Sequence, residues 1–254
     1  MNLRHSLFFL AVLLTGPQSH AADALVAVAT NFAEVMEQLT ERFNAWSRHH
    51  VRFTTGATGA LYAQVKGGAP FDIIMAADQL RPALLVKGEL AVAASRFTYA
   101  TGRLTLWSPD PALLRNKDPQ VLLSSDVRKV AIANPAVAPY GSAAREVIAA
   151  LGYSDALANK IVMGANIGQA HAMVATRNAD IGFVALSYVL SPRNRQAGSR
   201  WDVPVEMYTP IHQDAVLLNR AETNEAAVAF LAFLKSEPAL DIISAFGYTV
   251  PENR

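Results

Sequence analysis

The sequence predicts an α/β protein of two lobes, each a mainly parallel sheet flanked by helices, with a ligand cleft between the lobes. Three observations predict it. Short apolar strands alternate with helical segments along nearly the whole chain, the pattern of strand–helix–strand units. The chain changes character near residue 101 and again near residue 208, as expected if one lobe is inserted into another. Four times an apolar strand runs into a small or polar turn and then a helix, and no lysine or arginine sits in any of those turns.

The elements follow in order. Ala24 to Ala29 (ALVAVA) reads as a buried strand, followed by a helix with Phe32, Val35, Met36, Leu39, Phe43 and Trp46 on one face. Asn31 reads as its N-cap, with Glu34 completing a capping box. Val51 to Thr55 is a second strand, and Leu61, Tyr62 and Val65 mark a short helix stopped at Gly67-Gly68. Phe71 to Ala76 is a third strand; Asp78 and Pro82 introduce a helix that ends near Gly88. The segment from Phe97 to Gly102 marks the change of character. Arg103 to Trp107, Val130 to Ala133, Ile161 to Met163 and Asp180 to Leu186 are the strands beyond it, and helices begin after Tyr140 and from Gln169. Ser191 to Ser199 is a polar loop, and Val205 to Pro210 is the return crossing. A strand from Asp214 to Asn219 and helices over 225–234 and 239–246 complete the chain. The expected division is a leader at 1–21, a first lobe at 22–101, a second at 102–207, and the rest of the first at 208–254.

The 254 residues are 52% apolar and 17% charged, enough for a sizeable core. Met1 to His5 is a basic start, Leu7 to Leu14 an apolar run, and Ser19-His20-Ala21 a small-residue cleavage site, together a secretory leader cut near Ala21. Removing Arg4 with it takes 22 basic and 21 acidic residues to equality. No basic cluster appears, so nucleic acid is not an expected partner. The absence of cysteine excludes a disulfide scaffold, thiolate metal sites and cysteine nucleophiles. An exported chain of this kind belongs in the bacterial periplasm.

The four turns carry the chemistry. They are residues 29–32, 56–59, 139–142 and 165–168. A helix N-terminus presents unpaired N–H groups and a partial positive charge. Thr30 adds a hydroxyl, Asn31 an amide and Thr58 a second hydroxyl, while residues 139–141 and 166–168 offer backbone N–H groups. Any one turn alone reads as a helix cap. The four together, two from each lobe, point to a small tetrahedral anion held by hydrogen bonds without a counter-charge, each bond strengthened by the ligand's charge.

The other candidates read as structural. His49-His50 are adjacent with no carboxylate at metal spacing and belong to a solvated helix end. His171 is a neutral core or cleft-edge histidine. Asp72 and Asp78 cap turns. Met36, Met75, Met163 and Met173 fill the core. No G-x-S-x-G, Walker or G-x-G-x-x-G sequence supports an enzyme.

The runs VAVATNFAEVMEQL, GATGALYAQVKGGAPFDIIMAAD, ANPAVAPYGSAAREVI, ANIGQAHAMV with ADIGFVAL, and FLAFLKSEPALDIISAFGYTVP resemble the periplasmic molybdate-binding proteins of molybdate ABC transporters. The likeness covers essentially the whole mature chain and resembles the branch with a Thr-Asn pair in its first loop. It implies the type II periplasmic binding protein fold. It implies molybdate, and tungstate, as ligand, held by Thr30, Asn31, Thr58, Tyr140 and Ile167, the last two through backbone N–H groups. No cofactor and no metal cation are implied, since molybdenum arrives as its oxyanion. The implied partners are an inner-membrane permease and its cytoplasmic ATPase, and the implied state is a monomer. Many relatives place a ligand tyrosine where this chain has Ala185, so that donor is missing. Sulfate, thiosulfate or a small organic anion is the alternative ligand class, and an exported enzyme on the same fold is the third reading.

Overall fold

A computed structural model describes residues 21–196 and 198–251, so the expected leader, Ala21 apart, lies outside the described residues. The first lobe opens with β1 (Asp23–Ala29), α1 (Ala33–Trp46), β2 (His50–Gly56), α2 (Thr58–Lys66), β3 (Ile73–Met75), α3 (Leu80–Lys87) and β4 (Phe97–Gly102). The second sheet and its helices follow: β5 (Leu104–Ser108), β6 (Val130–Ala133), α4 (Pro139–Ala150), α5 (Ser154–Leu157), β7 (Ile161–Gly164), α6 (Ile167–Ala175), β8 (Ile181–Ala185), α7 (Leu186–Leu190) and β9 (Ser199–Asp202). The chain then returns with β10 (Ile211–Leu217), α8 (Glu225–Phe233) and α9 (Glu237–Ala245). Among the described residues no helix is long and apolar enough to cross a membrane.

Each sheet has five strands, in the orders β2-β1-β3-β10-β4 and β7-β6-β8-β5-β9. β10 is antiparallel to both neighbours, and so is β5. In each sheet, therefore, one strand runs against the other four. The parallel strands β1 and β6 are covered on both faces, which explains their unbroken apolar runs. In the first lobe one face packs α1, α8 and α9 through Phe32, Leu39, Phe43, Phe230 and Ile243. The other face packs α2 and α3 through Leu61, Val65 and Leu85. The second lobe has its own core around Trp107, Ile132, Val147 and Phe183.

Several expectations need correction. Residues 97–102 form a strand, β4, and β10 begins at Ile211 rather than Asp214. Ser199 opens a short edge strand, and α7 follows β8 without a loop. Trp46, the last residue of α1, overhangs the core and is 78% exposed. Met163 is also exposed, because β7 is an edge strand. His49 is buried, not solvated: its Nδ1 accepts a hydrogen bond from the Ala22 N–H at 3.2 Å. The capping box does not form. Residues Thr30–Phe32 make a 3-10 turn ahead of α1, the Asn31 side chain caps nothing, and Glu34 bonds Ser191 in the other lobe.

Candidate anion-binding site

The four turns meet at one small hollow. It is lined by residues 29–31, 56–58 and 77 of the first lobe and by residues 138–140 and 166–167 of the second. Thr30, Asn31, Thr58, Tyr140 and Ile167 all border it, and no lining residue is charged.

Each donor is placed by local structure. Ala57 is the N-cap of α2, so Thr58 holds its first helical position. Pro139 opens α4, where its missing N–H is harmless, and Tyr140 follows at the second position. Asn166 caps α6 by accepting from the Gln169 N–H at 2.9 Å, which leaves Ile167 at the first position. N–H groups at these positions have no carbonyl partner within their own helix.

The hydroxyls are poised to donate. Thr58 is buried, and its Oγ1 accepts from the Ala77 N–H at 3.0 Å, so its own hydrogen remains available. Thr30 Oγ1 is buried with no protein partner. Asn31 differs from expectation. Its Nδ2 donates to Gln213 Oε1 at 2.9 Å and to Tyr248 OH at 2.9 Å, while its Oδ1 has no partner.

Behind Asn31 lies a buried network that the sequence did not reveal. Tyr99 OH donates to Gln213 Oε1 at 2.9 Å, and Gln213 Nε2 faces Tyr140 OH at 3.4 Å. Tyr248 OH donates to the Asn31 carbonyl at 2.8 Å. A β-bulge brings these groups together. The pairing of β10 with β4 passes from Gln213↔Ala100 to Asp214↔Thr98, which leaves Tyr99 as the extra residue. Burial first, and then neighbouring Tyr248, pushes the Tyr99 and Tyr140 hydroxyls well above the usual phenol range. Burial raises Tyr248 to about 12, against hydrogen bonds with Ser187 and Asn31 that pull it down. All three stay protonated and neutral at physiological pH.

Contacts across the cleft hold the two lobes together. Tyr188 OH donates to the Thr30 carbonyl at 2.6 Å, and Ser187 Oγ donates to the Asn31 carbonyl at 3.0 Å. The Gly59 N–H donates to the Val137 carbonyl at 2.9 Å. Gly168 permits the approach: a Cβ there would stand 2.6 Å from Thr30 Cγ2 and 2.9 Å from Tyr188 OH. Ala185 is buried in β8 opposite Leu104 and supplies no hydroxyl. The hydroxyls of Tyr188 and Tyr248 bond to backbone carbonyls.

The remaining candidates lie elsewhere. His171 stacks on Tyr188 at 4.7 Å and 8°, and burial lowers its pKa to about 4, so it is neutral. Asp72 accepts from the Leu25 N–H at 2.7 Å and pairs with Arg220. Asp78 accepts from the Arg81 N–H at 2.8 Å and pairs with the same arginine's side chain. Among the described residues no group of three or more His, Cys, Asp or Glu could hold a metal ion.

Two lobes joined by crossing segments, with neutral donors converging between them, define a solute-binding protein. Residues 24–249 match the bacterial extracellular solute-binding protein family, and the chain belongs to it. A relative described as the molybdate-binding protein ModA of Azotobacter vinelandii is 44% identical over 230 residues, 91% of each chain. That of Rhodobacter capsulatus is 44% identical over 228 residues, 90% of this chain and 88% of its own. The solved structure of the Azotobacter vinelandii periplasmic molybdate-binding protein superimposes with a TM-score of 0.85 at 39% identity, covering 90% of this chain and 100% of that one.

Proposed function

We propose that this chain captures molybdate, and tungstate, in the periplasm and delivers it to an ABC transporter, doing no chemistry on the ligand. The observation that carries this reading is the convergence of four uncharged helix-start turns on one small hollow. A tetrahedral dianion, already deprotonated at neutral pH, needs donors only. Thr30 and Thr58 hydroxyls, the Asn31 amide, and the backbone N–H groups of Tyr140 and Ile167 are its proposed ligands. A buried dianion without a counterion requires many such bonds to offset desolvation. The relatives named molybdate-binding proteins support the choice of ligand.

In this reading residues 1–21 are removed on export, residues 22–101 with 208–254 form the first lobe, and 102–207 form the second. The lobes close on the anion by a hinge motion. The protein acts as a monomer with a membrane permease driven by a cytoplasmic ATPase.

Calorimetric titration of residues 22–254 tests it. The expected result is one-to-one binding of molybdate at micromolar affinity or tighter, with excess sulfate or phosphate unable to compete. Tight sulfate binding would reassign the ligand, and no binding of any tetrahedral oxyanion would overturn the reading.

A further inference from the structure

The orientation of the Asn31 amide carries a further inference, which rests on the proposed function. Asn31 is buried and borders the hollow, and its Oδ1 has no partner. A carbonyl oxygen is a poor neighbour for a dianion, because it can only accept. Rotating the amide by half a turn would exchange Oδ1 for Nδ2, a donor. That rotation cannot occur alone. Asn31 Oδ1 would then face Gln213 Oε1, two acceptors at the 2.9 Å now spanned by a hydrogen bond. It becomes favourable only if Gln213 turns as well.

The surrounding hydroxyls accommodate the reversed pair. Gln213 Nε2 would donate to Asn31 Oδ1 and to Tyr99 OH, which already has the Ala76 carbonyl as an acceptor at 3.2 Å. Tyr140 OH would donate to Gln213 Oε1 instead of accepting from Gln213 Nε2. Tyr248 OH would turn to Asn31 Oδ1, because Ser187 Oγ already serves the Asn31 carbonyl at 3.0 Å. Every group keeps a partner, and the one spare donor is Asn31 Nδ2. We propose that Gln213 is a positioning residue for the anion site: it turns together with Asn31, so that the bound oxyanion meets the amide's NH₂ and not its oxygen.

A double-mutant cycle with molybdate tests this. Gln213→Leu removes the partner that stabilises the reversed amide without adding charge. It should weaken molybdate binding about tenfold in the wild-type background and less than twofold in the Asn31→Ala background. Thermal melts of the ligand-free variants check folding. In the wild type, the side-chain amide resonances of Asn31 and Gln213, assigned by their loss in the two variants, should both shift on adding molybdate. Equal costs in the two backgrounds, no cost in either, or unmoved amide signals would overturn the inference while leaving the anion site standing. A wild type that binds no oxyanion would overturn the proposed function and this inference with it.

Discussion

The Ala77 amide hydrogen points at Thr58 Oγ1 across 3.0 Å, and this bond sets the polarity of the threonine. With an acceptor lobe occupied, the hydroxyl is directed to donate. Thr58→Ala should weaken molybdate binding by roughly 1–3 kcal/mol, the scale of a hydrogen bond to a charged group. Thr58→Ser should restore most of it. Calorimetry on the two variants checks the pair, and an unchanged affinity in Thr58→Ala would remove this hydroxyl from the site.

Gly168 stands where the lobes come closest. In Gly168→Ala the new methyl would meet Thr30 Cγ2, and relieving the clash means rotating Thr30 and displacing its Oγ1. Molybdate affinity should fall at least tenfold while the ligand-free melting temperature moves by only a few degrees. Small-angle scattering should show the liganded variant less compact than the liganded wild type.

Tyr188→Phe deletes the bond to the Thr30 carbonyl. One hydrogen bond of this kind contributes about 1 kcal/mol, and the Thr30 carbonyl keeps its bond from the Ala33 N–H. The variant should bind molybdate about five- to tenfold more weakly, chiefly through faster release. Stopped-flow dissociation reads this directly, and an unchanged off-rate would show that the contact does not hold the closed form.

His171 gives a pH signature. Its pKa is lowered by burial from 6.5 to about 4 in the folded protein, so the unfolded chain binds the proton first as pH falls. At pH 7 the group is neutral in the folded protein and mostly neutral in the unfolded chain, so its linkage there is small. Between about 6.5 and 4 stability is lost, by roughly 2 kcal/mol after allowing for its partial exposure. Urea unfolding at pH 7 and pH 4.5 should show this loss in the wild type and not in His171→Phe.

Much of this was legible in the sequence, and the reasons are local. The turns announced themselves because a strand's apolar run, a polar cap and a helical period are short-range signals, and all five residues singled out as ligands border one hollow. What the sequence hid is long-range. Gln213 sits just ahead of an apolar run, with nothing local to show that a bulge at Tyr99 would bury it beside Asn31. The β4 segment alternates too weakly to read as a strand. Asn31 looked like a cap because that is what asparagine before a helix most often does; its true partners lie 182 and 217 residues away.

That last separation has a consequence for how the protein is made. Asn31 lies in the turn after β1, yet Tyr248, which holds it, leaves a ribosome or a translocation pore 217 residues later. The pocket stays unfinished until α9 and Tyr248 have emerged and docked. Products truncated before Tyr248 should therefore be unable to sequester the anion.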